Sequence, residues 1–287
     1  MIRFIRMDEG EHMSIKLVAV DMDGTFLNRA STYDVQRFLH VYQQMKDRGI
    51  RFVVASGNPL KQLKGTFEGM SEELTYIADN GGYIVEEEQE LFLSNLSKAD
   101  CVHIIEAMKQ MPDVLCWTCT KDQSYTLSSI SDHYFQMFLP YFPGVKKIDD
   151  FLMIKEDIIK FALYLPDGNV EERIKDFIEI VSEQVRVVDS GHDCVDLISR
   201  KTNKGTALQF LMERYGIEKE EVMAFGDAGN DEEMLKHAGY GYAMENAKDS
   251  FKEMFTYIAP SNENQGVLEV LETYLETGTF YNQKTTV

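Results

Sequence analysis

Asp21 and Asp23, separated by one residue and followed by Gly24 and Thr25, are the carboxylates on which chemistry in this chain would turn. Two acids that close repel each other unless a cation lies between them or one keeps its proton. The pair therefore points to a metal site with one carboxylate left over for reaction. Gly24 permits a turn that brings backbone N–H groups toward an anion. The plainer reading of the same residues is a polar loop, because Asp and Gly are common turn formers.

Three more polar groups have the same kind of setting. Ser56-Gly57-Asn58 precedes Pro59, which is well tolerated at the start of a helix, so a hydroxyl and unbonded N–H groups would gather there as a phosphate cradle. Asn203-Lys204-Gly205 opens a helical pattern where the macrodipole disfavours a cation, and an anion held nearby would explain the lysine. Gly226-Asp227-Ala228-Gly229-Asn230-Asp231 again places acids just beyond an apolar run. Taken singly, Ser-Gly is a turn or cap, Asp227 and Asp231 are helix caps, and Lys204 is a surface cation.

The elements around these groups decide how they are placed. Lys16 to Val20, Ile50 to Ala55, Thr75 to Ala78, Glu221 to Phe225, Tyr240 to Met244 and Tyr257-Ile258 read as short buried strands. Helices alternate with them. The first spans Tyr33 to Arg48, with Val35, Phe38, Leu39, Tyr42 and Met45 as its apolar stripe and Gly49 as its stop. Others run from Thr206 to Tyr215 and from Gln265 to Tyr274. This order predicts an α/β fold, a Rossmann-like, doubly wound parallel sheet with right-handed crossovers. Such a sheet gathers strand carboxyl ends along one edge, so acids far apart in sequence can meet there.

At Tyr83 the pattern changes. A hairpin with an acidic tip at Glu86 to Glu90 leads into helices near 98–111, 132–139 and 169–182, with strands at 114–120, 159–165, 185–188 and 195–198 between and after them. Residues 84–200 thus read as an α+β domain inserted into a core of 14–83 and 201–287. Residues 1–13 lack a period and read as an extension or expression remnant, with Met13 a candidate start, and Gly278 to Val287 reads as a frayed tail.

The chain of 287 residues carries a formal charge of -19, which argues against a nucleic-acid partner bound through a broad basic face. A metal and one lysine can still reverse the potential locally for a small anionic substrate. No apolar stretch approaches membrane-spanning length, and the N-terminus lacks a secretion-signal core. Cys101, Cys116, Cys119 and Cys194 suit a reducing cytoplasm better than a disulfide framework. Cys116 and Cys119 have CxxC spacing, but on a strand they face opposite sides, so a zinc site recruiting His103 or His192 is disfavoured against buried, inert thiols.

The four motifs DMDGT, SGN, NKG and GDAGND, in that order, resemble the signatures of the haloacid dehalogenase-like superfamily. The insertion between the second and third resembles the α/β cap (class IIB) of its Cof-type members. The resemblance extends to Asp79-Asn80-Gly81-Gly82, GYAMENA at 241–247 and SNENQG at 261–266. It implies a Mg²⁺-dependent phosphatase acting on a small phosphorylated metabolite, such as a sugar phosphate or a phosphorylated cofactor precursor. Asp21 would be the nucleophile that forms an aspartyl-phosphate, and Asp23 the general acid and then base. Asp21, the carbonyl of Asp23 and Asp227 would hold Mg²⁺, with Asp231 orienting them or reaching the metal through water. Thr25, Ser56, Gly57, Lys204 and Asn230 would hold the phosphoryl group, and the inserted domain would act as a lid. Asn58 stands where many relatives carry arginine, and the 194–200 segment differs in detail from theirs, so contacts with the rest of the substrate would differ. A phosphomutase or phosphotransferase shares the first half-reaction, and a non-catalytic sensor of a phosphometabolite is the alternative from another class.

Overall fold

The computed structural model describes residues 14–191 and 193–282; the extension expected at 1–13, His192 and tail residues 283–287 lie outside them. The first part of the chain contains β1 (Leu17–Val20), α1 (Val35–Asp47), β2 (Arg51–Ala55), α2 (Leu60–Thr66), β3 (Thr75–Ala78), β4 (Tyr83–Glu86) and β5 (Gln89–Leu93). The middle contains α3 (Lys98–Met108), β6 (Leu115–Thr120), β7 (Ser124–Leu127), α4 (Asp132–Phe138), β8 (Lys146–Ile148), β9 (Ile158–Tyr164), α5 (Val170–Ile180), β10 (Val185–Gly191) and β11 (Cys194–Ser199). The last part contains α6 (Lys204–Tyr215), β12 (Val222–Gly226), α7 (Glu232–His237), β13 (Tyr240–Met244), α8 (Asp249–Lys252), β14 (Tyr257–Ala259) and α9 (Gly266–Thr277). Two compact units result, one formed by the described residues up to Ala55 with those from Lys204 onward, the other by Ser56–Asn203.

In the first unit five strands lie parallel in the order β14-β13-β12-β1-β2. The central strands are buried at every position, as a sheet covered on both faces requires. Register places Val20 beside Phe225, so Asp21 and the Gly226-Asp227 turn leave the sheet at the same level. Helix α1 starts at Asp34, whose side chain accepts from the Arg37 N–H, and is followed by Gly49 at φ +70°. Its buried face is Phe38, Val41, Tyr42 and Met45. Val35 and Leu39, expected in the stripe, are instead 47% and 39% exposed, because residues 38, 41, 42 and 45 follow the helical period more closely.

The tail corrects a second expectation. Phe280 is buried, stacked on Tyr240 at 3.6 Å between centroids and close to Tyr274, and Tyr281 is buried too. Aromatic burial therefore holds the chain to Asn282, four residues beyond the glycine that ends α9.

The second unit holds an antiparallel β3-β4-β5 ribbon and a six-stranded sheet in the order β10-β11-β9-β6-β7-β8. The acidic hairpin tip turns through Glu87 and Glu88, both at positive φ and solvent-exposed. One face of the six-stranded sheet packs against α3 and α5 through Ile104, Ile105 and Phe177, and in a separate cluster Trp117 stacks with Phe142 and meets Phe138 at a tilt. Cys116 belongs to the former cluster and Cys119 to the latter, as alternation along β6 demands. All four cysteines are free. Burial pushes the thiols of Cys101 and Cys194 up to about 11 and about 12 and raises Cys116 and Cys119 as well, which disfavours the thiolate a metal would need. His103 is engaged with the Ile180 carbonyl. Among the described residues no helix is long and apolar enough to cross a membrane.

Candidate active site

The acidic loop after β1 is built by its own backbone. Phe26 N–H donates to Asp21 O and Leu27 N–H to Met22 O, folding the DMDGT turn back on itself, while Asp21 N–H continues the ladder to Phe225 O. Gly24 sits at φ +82°, and a Cβ there would stand 2.5 Å from Asp227 Oδ2. A glycine is thus required both for the turn and for the approach of the second acidic loop.

Lys204 is completely buried, and its Nζ donates to Asp21 Oδ1 and Asp231 Oδ1, each at 2.6 Å. Those two carboxylates are the anions that a lysine at the start of α6 called for. Asp231 is fully buried and accepts at its other oxygen from the N–H groups of Asp227 (3.0 Å) and Ala228 (3.1 Å). It therefore ties the GDAGND turn to the lysine. A Cβ on Gly226 would stand 2.4 Å from the Asp231 Cβ, so this tie also depends on a glycine. Thr25 Oγ1 donates to Asp227 Oδ1 at 2.9 Å and fixes the third acid.

Asp21, Asp227 and Asp231 each offer an oxygen within 4.8 Å of the others. Three carboxylates against one ammonium leave two negative charges in a largely buried space. Burial first, then the neighbouring Asp231 and Asp227, holds the Asp21 carboxyl well above its ordinary range, although Lys204 pulls it down. Burial alone would lower Lys204, but Asp21 and Asp231 outweigh it and the ammonium is held charged. The cluster is short of positive charge, and its donors are hard oxygens. Both features fit a small divalent cation such as Mg²⁺. Because both oxygens of Asp231 already accept from protein donors, Asp21 and Asp227 are the better placed ligands.

The other expected site residues lie each within its own unit. Asp23 is half-buried on the same loop and adds no carboxylate to the three-acid group. Asn230 is half-buried in the single turn at Gly229–Asp231. Ser56 and Gly57 belong to the second unit, where Ser56 is buried and its Oγ accepts from the Asn58 N–H at 3.0 Å.

Two asparagines that hold the acidic loop carry no assignment from sequence. Asn246 Nδ2 donates to the Gly24 carbonyl at 2.8 Å, and its Oδ1 accepts from the Asn262 N–H at 3.0 Å. Asn262 Nδ2 in turn donates to Leu27 O at 2.8 Å. The acidic loop is thereby gripped at both ends from loops after β13 and β14. The available signal was the two motif-like stretches at 241–247 and 261–266, which carried no chemical role of their own.

Carboxylates at the ends of parallel strands, clamped by a buried lysine and suited to a divalent ion, define an α/β enzyme of the phosphoryl-transfer kind. The chain belongs to the haloacid dehalogenase-like hydrolase family, whose model matches residues 18–271. It is 39% identical over 264 residues to the 5-amino-6-(5-phospho-D-ribitylamino)uracil phosphatase YbjI of Escherichia coli, covering 92% of this chain and 97% of that one. A Bacillus subtilis phosphatase of the same description, YcsE, is 25% identical over 264 residues, covering 91% and 96%. The crystal structure of SMU.1108c from Streptococcus mutans superposes with a TM-score of 0.88 at 35% identity, covering 92% of this chain and all of that one. Family and relatives together make the chain a phosphatase.

Proposed function

We propose that the chain is a Mg²⁺-dependent phosphatase of small phosphorylated metabolites that works through an aspartyl-phosphate on Asp21. The observation that carries this is the buried Lys204 clamp on Asp21 beside Asp227 and Asp231. A carboxylate attacking an anionic ester meets charge repulsion, and a fixed ammonium reduces it. An Asp21 oxygen bonds to phosphorus as the phosphorus–oxygen bond to the leaving group breaks, and Asp23 gives the departing oxygen the proton that makes it an alcohol. Water then attacks phosphorus, Asp23 takes its proton, inorganic phosphate leaves and Asp21 is regenerated. Lys204 has three N–H donors, of which two are used by carboxylates, and the third is assigned to a phosphoryl oxygen. Ser56, Gly57 and Asn230 are assigned to the remaining oxygens, and Thr25 to keeping Asp227 in place.

Mg²⁺ would be held by Asp21, Asp227 and the carbonyl of Asp23, and when bound it offsets the charge that develops on the phosphoryl oxygens. Asn246, which grips the neighbouring Gly24 carbonyl, would keep that stretch of backbone turned correctly. The inserted segment 84–200 is assigned to limiting the leaving group to small molecules. The relatives' descriptions make a phosphorylated ribityl-pyrimidine the first substrate to try.

The test is phosphate release from a metabolite panel with Mg²⁺, including that compound and several sugar phosphates. Release is expected from wild type, with loss in Asp21→Asn and after chelation. Wild-type release no greater than that of Asp21→Asn would overturn the proposal.

A further inference from the structure

All three carbonyls of the Ser56-Gly57-Asn58 turn are held within the second unit. Ser56 O accepts from Asn80 N–H at 3.0 Å, Asn58 O accepts from Asp79 N–H at 3.1 Å, and Gly57 O accepts from the Lys160 ammonium. Lys160 comes from β9, more than a hundred residues away, and is 2% exposed. It is a buried cation supported by Asp196 Oδ2 at 3.3 Å and Asp79 Oδ1 at 3.6 Å, while Asn80 Nδ2 donates to the same Asp196 oxygen at 2.6 Å. The mechanism above does not use it.

In a trans peptide the C=O and N–H point in opposite directions, and the described chain contains no cis bond. Fixing Ser56 O therefore turns the Gly57 N–H the other way, and that N–H has no partner among the described residues. Fixing Gly57 O likewise turns the Asn58 N–H, which donates to Ser56 Oγ. With that lone pair occupied, the Ser56 hydroxyl hydrogen is directed elsewhere. A Cβ on Gly57 would stand 3.1 Å from Asn80 Nδ2, so the turn is packed closely against these anchors.

We propose that Lys160 is a positioning residue for phosphate: by holding the Gly57 carbonyl it orients the Gly57–Asn58 peptide, and through it the Ser56 hydroxyl, toward a phosphoryl group. The inference rests on the assignment of Ser56 and Gly57 to phosphate holding. Asp196 and Asp79 keep the ammonium in place, so the inserted segment contributes to phosphate affinity through a residue that never touches phosphate.

Inorganic phosphate binding by calorimetry in the presence of Mg²⁺ tests it without requiring turnover, alongside kinetics with p-nitrophenyl phosphate. In Lys160→Met, and in Lys160→Met/Asp196→Asn, which leaves fewer uncompensated charges and protects the fold, phosphate Kd and KM should rise about tenfold, equivalent to about 1.4 kcal/mol. The value of kcat should change much less. A purely structural lysine would lower the melting temperature and leave phosphate Kd unchanged. Phosphate Kd within twofold of wild type in the folded double variant overturns the inference. Wild type that binds phosphate but releases none from any ester overturns the phosphatase mechanism instead, and wild type that binds no phosphate overturns both.

Discussion

Asp231→Asn separates a residue that holds the site from one that merely lies in it. The native carboxylate accepts one N–H from Lys204 at Oδ1 and two backbone N–H groups at Oδ2. An amide cannot satisfy both sides. With its NH₂ toward Lys204 it meets a cation that can only donate, and with its NH₂ toward the turn it faces the two N–H groups of Asp227 and Ala228. Removing one partner of a buried, hydrogen-bonded charge pair costs roughly 3–5 kcal/mol. Loss of repulsion between Asp231 and Asp21 gives part of that back, since Asp231 is the largest electrostatic contribution raising Asp21. The net expectation is about 2–3 kcal/mol of stability lost in metal-free protein, or a fall in melting temperature of about 5–10 °C. Thermal and urea unfolding in chelator measure this directly. In the same variant Asp21 loses a neighbouring negative charge, so its ionisation should move to lower pH. A melting temperature within about 1 °C of wild type would refute the role of Asp231 as the tie between Lys204 and the turn.

Gly24→Ala places a Cβ against Asp227 Oδ2 at a backbone angle that alanine resists, so Mg²⁺ affinity measured by calorimetry should fall at least about tenfold, with about 1–3 kcal/mol of stability lost. Phe280→Ala removes the ring stacked on Tyr240, and chemical denaturation should show about 3–4 kcal/mol of destabilisation, where a frayed tail would show none. Asp79 supplies a pH test. Burial first, and Asp196 next among the raising influences, outweigh Lys160 and lift its carboxyl to about 7 from 3.8. The folded state therefore holds this proton more tightly than the unfolded one. Its contribution to stability is fully present below about 4 and declines as pH rises toward about 7. Asp79→Asn should abolish that part of the slope in unfolding measured from pH 4 to 8, and an unchanged slope would exclude it.

Much of the parallel sheet and of the acid cluster was legible because both depend on local signals. Apolar runs ending in Asp21 and Asp227 mark strand ends, and the misplaced charge of Lys204 at a helix start announced an anion nearby. What was not legible depends on partners distant in sequence. Asn246 and Asn262 are ordinary loop residues until their bonds to Gly24 and Leu27 are seen, and nothing in the apolar β9 run around Lys160 signals a bond to Gly57. Strands β7 and β8 are short and partly polar, so period-two patterning does not single them out. The α1 stripe was misassigned because five apolar side chains offered two overlapping faces, and contact with the sheet chose one.

Complete enclosure of Lys204 also has a chemical corollary. An amine reached by no solvent, held protonated between two acids, is a poor nucleophile toward acylating reagents or acetyl donors. Surface lysines can be capped wholesale while this one is spared, and its late labelling would then report the opening of the fold around it.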